Sequence, residues 1–248
     1  MTNLLLYTLR IADSSLILGQ RMSEWCSKGP TLEEDIALSN ISLDMFGQAN
    51  GFYEYAAKLD GKKSADYFAF HRNEREFFNH QIVELENGHF GKTIVRNFLH
   101  DTFNFLFYTK LSESKDEILA ALAAKSLKEV KYHLRHSSNW LIRLGDGTEE
   151  SNHKVQVSLE EIWQYTAELF EMDEVDNELF RSGIGVDNKA LKAQWDEIVN
   201  NTLKKAKLKR PTDTYMATGG KKGMHTEYLG FLLAEMQFMQ RSYPDAKW

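Results

Sequence analysis

Between residues 31 and about 59, apolar side chains recur at spacings of three and four. Leu38, Ile41, Met45, Ala49, Phe52 and Ala56 form one stripe, and Ile36, Leu43, Phe46 and Tyr53 form a second on another face. That period belongs to an α-helix, and a helix apolar on two faces is expected to lie centrally, with neighbours on both sides. Thr31 followed by Glu34, directly after Pro30, reads as a capping box and helix start. Gly61 within Asp60-Gly-Lys-Lys63 marks its end. A long first helix is predicted over 4–26, and further helices over 65–86, 89–111, 115–144, 158–170, 189–207 and 222–241. The breaks are Glu86-Asn-Gly88, Ser112-Glu-Ser114, Gly145-Asp-Gly147, Gly183 with Gly185, and Pro211. Ser158 with Glu161 reads as a second capping box. No alternating apolar run bounded by turns predicts a sheet, and no fixed-period repeat or low-complexity tract occurs. The pattern predicts an all-α protein, one domain over 1–248 built of long antiparallel helices.

Composition narrows the class. The chain has 248 residues, 42% of them hydrophobic, enough for one large core. Its prolines are Pro30, Pro211 and Pro244, so nothing blocks helix continuation from 31 to 210. A net charge of −6 with both signs interspersed argues against a basic nucleic-acid surface. A single cysteine, Cys26, rules out an intrachain disulfide framework and suits a reducing cytoplasm. Arg10 and Asp13 interrupt the first apolar residues, so neither signal peptide nor membrane anchor is expected there. No window approaches the roughly 18 consecutive apolar residues of a membrane span.

The candidate chemistry is a pair of near-misses. A diiron carboxylate bundle carries a Glu from each of two helices and a Glu-x-x-His motif from each of the other two. Here Glu129-Val-Lys-Tyr-His133 and Glu76-Phe-Phe-Asn-His80 lie in stretches that read as helical. Tyr132 and Asn79 occupy the expected His positions, and each His comes one residue late. Glu129 and His133 still share a helix face, but two ligands make a weak site, and a buried hydrogen-bonded pair is favoured over metal ligation. Asn79 in the inward slot would replace an imidazole nitrogen by an amide and lower iron affinity. The literal matches, Glu86-Asn-Gly-His89 and Glu150-Ser-Asn-His153, fall in an Asn-Gly turn and in the polar stretch after Gly147, and neither is expected to be helical. Asn40, Asp44 and Gln48 run between the two apolar stripes, either as a solvated strip or as a polar remnant inside the bundle.

Other enzyme classes lack their signatures: no dinucleotide-binding glycine fingerprint, Walker motif, nucleophile elbow or Cys-x-x-Cys occurs. Gly219-Gly-Lys-Lys-Gly223 is the one glycine-rich basic loop. Its amides with Lys221 and Lys222 suit a phosphate or carboxylate, against a plainer reading as a flexible loop with two solvated lysines. Two further segments are candidates to line a polar pocket that a degenerate site would leave behind. Glu76, Phe77, Phe78 and Asn79 combine aromatic surface with an amide. Asn177, Glu178 and Leu179 follow the acidic Asp173-Glu-Val-Asp176 at what reads as a helix end, where the carboxylates would repel phosphate groups. Ordinary packing and a solvated acidic turn are the plainer readings of both.

Several segments together resemble a known family. They include Tyr7-Thr-Leu-Arg10, Asp35-Ile-Ala-Leu-Ser-Asn40, Asp66-Tyr-Phe-Ala-Phe70, Lys128-Glu-Val-Lys-Tyr-His-Leu-Arg135 and, most specific, Thr218-Gly-Gly-Lys-Lys-Gly-Met-His-Thr-Glu227. The chain resembles, over its whole length, the C subunits of phenylacetyl-CoA 1,2-epoxidases, the multicomponent ring oxygenases of phenylacetate degradation. The resemblance implies a ferritin-like antiparallel helical bundle with additional helices. It implies a structural, non-catalytic subunit, without cofactor or metal ligands of its own, that pairs with an A subunit bearing the diiron site. It further implies a small B subunit, a reductase subunit with FAD and an iron–sulfur centre, and a cytoplasmic complex that uses oxygen and NADPH to convert phenylacetyl-CoA to the ring epoxide. Two alternatives stand beside this reading. One is an atypical diiron or dimanganese oxidase using Glu129, His133, Asp44, Glu76 and His80. The other is a module that binds a CoA thioester without chemistry.

Overall fold

The computed structural model describes residues 1–244 and 246, and among these the regular structure is helical, without strands. The α-helices are α1 (Asn3–Ser23), α2 (Leu32–Asp60), α3 (Ala65–Phe70), α4 (Phe90–Leu111), α5 (Glu117–Gly145), α6 (Glu149–Trp163), α7 (Glu174–Arg181), α8 (Asn188–Lys205), α9 (Glu227–Met236) and α10 (Phe238–Ser242). The chain divides into two compact units: residues 1–86 with the chain from Gly219 onward, and residues 87–218.

In the first unit α1 and α2 pack as an antiparallel hairpin. Ser42 donates to the Gly19 carbonyl at 2.9 Å and the Tyr53 hydroxyl donates to Asp13 at 2.6 Å, so one index rises as the other falls. Thr2 and Thr31 cap the two helices, as the sequence predicts for Thr31, and α2 ends at Gly61 in the left-handed region at φ 71°. The enclosed helix is α1 rather than α2. Of the second α2 stripe, Tyr53 is buried, whereas Ile36 is 54% and Leu43 65% exposed. α1 is buried almost all round despite its polar content. Thr8, Ser14 and Ser15 return their hydroxyl protons to the carbonyls of Leu4, Arg10 and Ile11, which removes much of their desolvation cost.

The helix predicted over 65–86 stops at Phe70. Beyond it lie 3₁₀ turns at Glu74–Glu76 and Gln81–Glu84, joined by extended backbone. The cause is Asp13, a fully buried carboxylate in the middle of α1. Arg72 binds both Asp13 oxygens through its two terminal nitrogens, and the Phe78 amide donates to Asp13 Oδ2 at 2.8 Å. Arg72 also donates to the carbonyls of Phe68 at 2.6 Å and Glu76 at 2.7 Å, and its guanidinium lies 4.1 Å from the Phe77 ring centroid. Tertiary bonds to one carboxylate thus replace the helical ladder. The last predicted helix also breaks up, into a 3₁₀ turn at Gly220–Lys222, a loop, α9 and α10.

In the second unit α4 and α5 pair antiparallel through Ser137 on Asp101, at 2.8 Å, and Phe90 edge-on to Trp140. Trp195 of α8 is the centre of this core: fully buried, it donates to the Leu99 carbonyl at 3.0 Å and packs against Trp163 and Phe170. A Cβ at Gly145 would lie 2.3 Å from the Ala206 carbonyl oxygen, so glycine is what lets the ends of α5 and α8 meet. Three local expectations change here. α6 starts at Glu149, where Thr148 and Ser151 form the capping box, while Ser158 lies buried in mid-helix. Its polar first turns, tied by Glu150–Lys154 at 2.5 Å, make a surface helix that polarity alone disguises as a loop. Asp173 begins α7 as its N-cap instead of ending a helix, with Asp176 reciprocating.

Removing one partner of a buried ion pair strands the other charge, at a cost of about 3–5 kcal/mol. Arg72→Met is therefore expected to lose stability on that scale in urea unfolding of the intact chain. Asp13→Leu with Arg72→Met should recover a large part of it. Tyr53→Phe, which removes a single donor to the carboxylate, should cost about 1–3 kcal/mol.

Candidate functional site

The residues singled out by sequence sort into the two units. In the first, the loop before α9 folds back on the 76–84 segment. Gly219 and Gly223 take φ of 119° and 75°. A Cβ at Gly223 would come 2.3 Å from the Arg75 carbonyl oxygen, so only glycine permits this approach. The loop does not open its amides toward an anion: those of Lys222, Gly223 and Met224 donate to the carbonyls of Gly219 and Gly220. Lys221 is buried and Lys222 exposed, so one of the two lysines expected in solvent is not there.

Below the loop lies a charged network that sequence reasoning passed over. Glu84, fully buried, accepts from Asn79 at 2.8 Å, from the Thr226 amide at 2.8 Å and from the Thr226 hydroxyl at 2.6 Å. His225 Nδ1 lies 2.5 Å from Glu84 Oε1 and Nε2 lies 2.8 Å from the Phe77 carbonyl oxygen. A carbonyl oxygen only accepts, so Nε2 donates to Phe77, and the protonated ring can donate from Nδ1 to Glu84 as well. Burial alone would lower its pKa. The hydrogen bond and charge of Glu84, the Phe77 carbonyl and the charge of Asp13 outweigh burial and raise it. The legible signal was one acid within the apolar run Gln81-Ile-Val-Glu-Leu85, and one His inside the glycine-lysine segment.

Glu76, Phe77, Phe78 and Asn79 do not form a helical metal motif. Glu76 is exposed and Phe78 half-buried, while Phe77 and Asn79 are entirely enclosed, Asn79 spending its amide protons on Glu84 and the His80 carbonyl. Glu76 and His80 thus share no helix face, and Asn79 fills no inward helical slot. On α2 the strip Asn40, Asp44, Gln48 runs from exposed through half-buried to buried.

In the second unit Tyr132 is 39% exposed and points away from the core, beneath the Arg135 guanidinium at 5.4 Å. His133 is buried, Glu129 half-buried, and the charge of Asp101 of α4 is felt at His133. Burial pushes the Asp101 carboxyl up to about 6, while His133, the Ser137 hydroxyl, His136 and Arg96 pull it down. Its neighbour His100 is pushed down to about 3 by burial and by Arg96, and is neutral. Glu150-Ser-Asn-His153 is helical after all, at the start of α6, but Glu150 is exposed and paired with Lys154. Asn177, Glu178 and Leu179 sit in α7, with Leu179 buried, Asn177 half-buried and Glu178 exposed. Among the described residues no three or more His, Cys, Asp or Glu side chains gather to hold a metal. A diiron centre does not fit Asp101, His133 and Glu129, which lack the further carboxylates such a site takes.

The raised His225 pKa has a signed consequence. Its contribution to stability is fully present below the unfolded value of about 6.5 and is lost as pH rises through the folded value. Urea unfolding of the wild-type chain should therefore weaken from pH 6 toward pH 9, by about 1.4 kcal/mol for each unit of upward shift. His225→Gln should flatten that dependence. Asp101 runs the same way in a lower window, from the unfolded value near 3.8 to about 6, and Asp101→Asn should remove that part of the profile.

The family model described as phenylacetic acid catabolic protein, a ferritin-like helical family, matches residues 1–248. The chain is also 48% identical over 248 residues to the C subunit of the 1,2-phenylacetyl-CoA epoxidase of Escherichia coli strain K12, with 100% of each chain covered. The resemblance read from the glycine-lysine segment and its companions therefore holds along the whole length, and the chain belongs to the phenylacetic acid catabolic protein family.

Proposed function

We propose that this chain is the non-catalytic structural subunit of a phenylacetyl-CoA 1,2-epoxidase in phenylacetate catabolism, stabilising a catalytic A subunit that holds the diiron site. A B subunit and a reductase complete the assembly, the reductase carrying FAD and an iron–sulfur centre. The observation that carries this reading is the state of the buried acids. Each oxygen of Asp13 already receives two donors, and Glu84 receives four. Asp101 accepts from Ser137, and its charge is felt at His133. Asp13 and Glu84 thus spend their lone pairs on the protein's own donors, which supports a cohesive role for these buried acids.

Exposed apolar surface supports a partner. Phe231 is 74%, Phe238 59%, Tyr243 56% and Met239 44% exposed along α9, α10 and the residue after them, more than isolated surface apolar residues account for. Contact with the acyl-CoA substrate is part of the proposal, narrowed by burial. Glu76, Phe78 and Lys222 are the accessible candidates in the first unit, and Asn177 and Glu178 in the second, while Phe77, Asn79, Leu179 and Lys221 support them from beneath. Among the described residues no helix is long and apolar enough to cross a membrane; a cytoplasmic location is part of the same reading.

Two measurements test it. Elemental analysis of the purified chain should give iron far below one atom per chain, unchanged by Glu129→Gln; stoichiometric iron lost in that variant would instead establish the oxidase alternative. Co-expression should make the A subunit soluble and active with phenylacetyl-CoA, oxygen and NADPH. An A subunit equally active alone would overturn the structural role.

A further inference from the structure

The solvent face of α5 carries a run of cations. Lys125, Lys128, Lys131, Arg135 and Arg143 are all exposed. Helical spacing puts them within about a third of the circumference, over about 27 Å of helix, opposite the buried Ala123, Val130, Ser137 and Leu141. The chain as a whole stands at −6, so this face is set against its average. The acids in and beside α5 do not cancel it. Asp116 caps the helix, and Glu117 stands in the first turn, eight residues before Lys125. Glu129 is half-buried at the edge of the run, and Asp146, past its end, pairs with Lys207. Among the described residues none of the five cations forms an ion pair with an acid.

The arrangement weakens the isolated helix. Lys125, Lys128, Lys131 and Arg135 follow one another at three and four residues, where like charges repel. The neighbouring helices do the opposite: Glu150 pairs with Lys154 in α6, and Lys192 with Asp196 in α8, each four residues apart. The two arginines are also held in place. Arg135 lies 5.4 Å from the Tyr132 ring centroid and Arg143 4.8 Å from that of Trp140. A guanidinium stacked on a ring keeps its N–H edge for a carboxylate, and part of its ordering cost is met before binding.

We propose that this face of α5 docks an acidic helix of a second, different subunit of the assembly, one that binds reversibly. Asp and Glu at spacings of three and four, over about five turns, would match the run. A phosphate-bearing small molecule is too short to use its length. A membrane surface calls for apolar side chains among the cations, and Tyr132 is the one large apolar side chain exposed between Lys125 and Arg143. A nucleic acid would be repelled by the rest of a chain at −6. With so little apolar area the contact is salt-sensitive and small, in the class of transient encounters. The occupant is therefore a component that comes and goes, not the permanently held A subunit. The proposal rests on the chain being a subunit of such an assembly.

The test uses the complex of this chain with the A subunit, purified after co-expression, and measures its binding of added B subunit and of added reductase at low and high salt. One of the two should bind the wild-type complex with an affinity that falls as salt rises. Lys128→Glu, Lys131→Glu and Arg135→Glu together should weaken that binding about tenfold or more at low salt and flatten its salt dependence. The same reversal at Lys62, Lys204 and Lys205, exposed outside α5, should not. Lys131→Glu alone puts a glutamate four residues before Arg135, so it should raise the melting temperature of the chain yet weaken docking. A merely solvated face would not give those opposite signs. A triple variant that binds both components like wild type overturns the proposal. So does a triple variant that loses the A subunit, or one whose lost binding is to a CoA thioester, anionic vesicles or duplex DNA. In these cases the epoxidase reading survives, whereas a wild-type chain that fails to co-purify with the A subunit would sink both.

Discussion

The first unit is organised by the cost of enclosing the Asp13 carboxylate. An ionised group without solvent exposure is tolerated only when its charge is matched and its lone pairs are filled. One carboxylate therefore recruits the Tyr53 hydroxyl from α2, the Arg72 guanidinium from beyond α3 and the Phe78 amide from the following loop. Burial would lower the Arg72 pKa, but the Asp13 carboxylate and the Tyr53 oxygen outweigh it and raise it. The Tyr53 hydroxyl is pushed well above its usual value by burial first and by Asp13 second. These groups order a stretch that local helix propensity would have continued. The Glu84–His225 pair repeats the same solution a few residues on, and there it fixes the glycine-lysine loop.

This bears on function because buried carboxylates are also the raw material of a metal centre. The distinction lies in what else is within reach. Arg72, His225, Thr226 and Ser137 are placed to neutralise or hydrogen-bond the interior acids, and their presence converts a ligand field into a set of internal ties. A helical scaffold can thus hold interior acids that serve cohesion.

Much of the architecture is legible in periodicity. Thr31, Gly61 and the apolar stripes locate α2 almost to the residue, and the absence of proline from 31 to 210 agrees with helix as the dominant form there. The misreadings share a cause. Residues 71–86 carry helix-compatible side chains, yet their conformation is set by Asp13, some sixty positions earlier in the chain. Spacing alone gives Tyr132 an inward slot, but burial of His133 against α4 fixes the rotation of α5 and turns Tyr132 outward. Polarity disguises α6. The candidate site is least legible because its members lie far apart in the chain: Glu84 with His225, and Asp101 with Ser137, are pairs that no local window contains.

The division of the chain has a consequence for its biosynthesis. Residues 87–218 form a compact unit drawn from one continuous stretch, whereas the other unit joins residues 1–86 to the chain beyond Gly219. On a ribosome the middle unit can therefore close as soon as it emerges, while the α1–α2 hairpin waits for the segment that brings His225 to Glu84. At about 5–20 residues per second, the intervening stretch takes on the order of ten seconds to synthesise. For that interval Glu84 lacks its His225 partner, and the apolar residues beside it lack their cover. A ribosome stalled anywhere in the middle unit would hold residues 1–86 without the segment that brings His225 to Glu84.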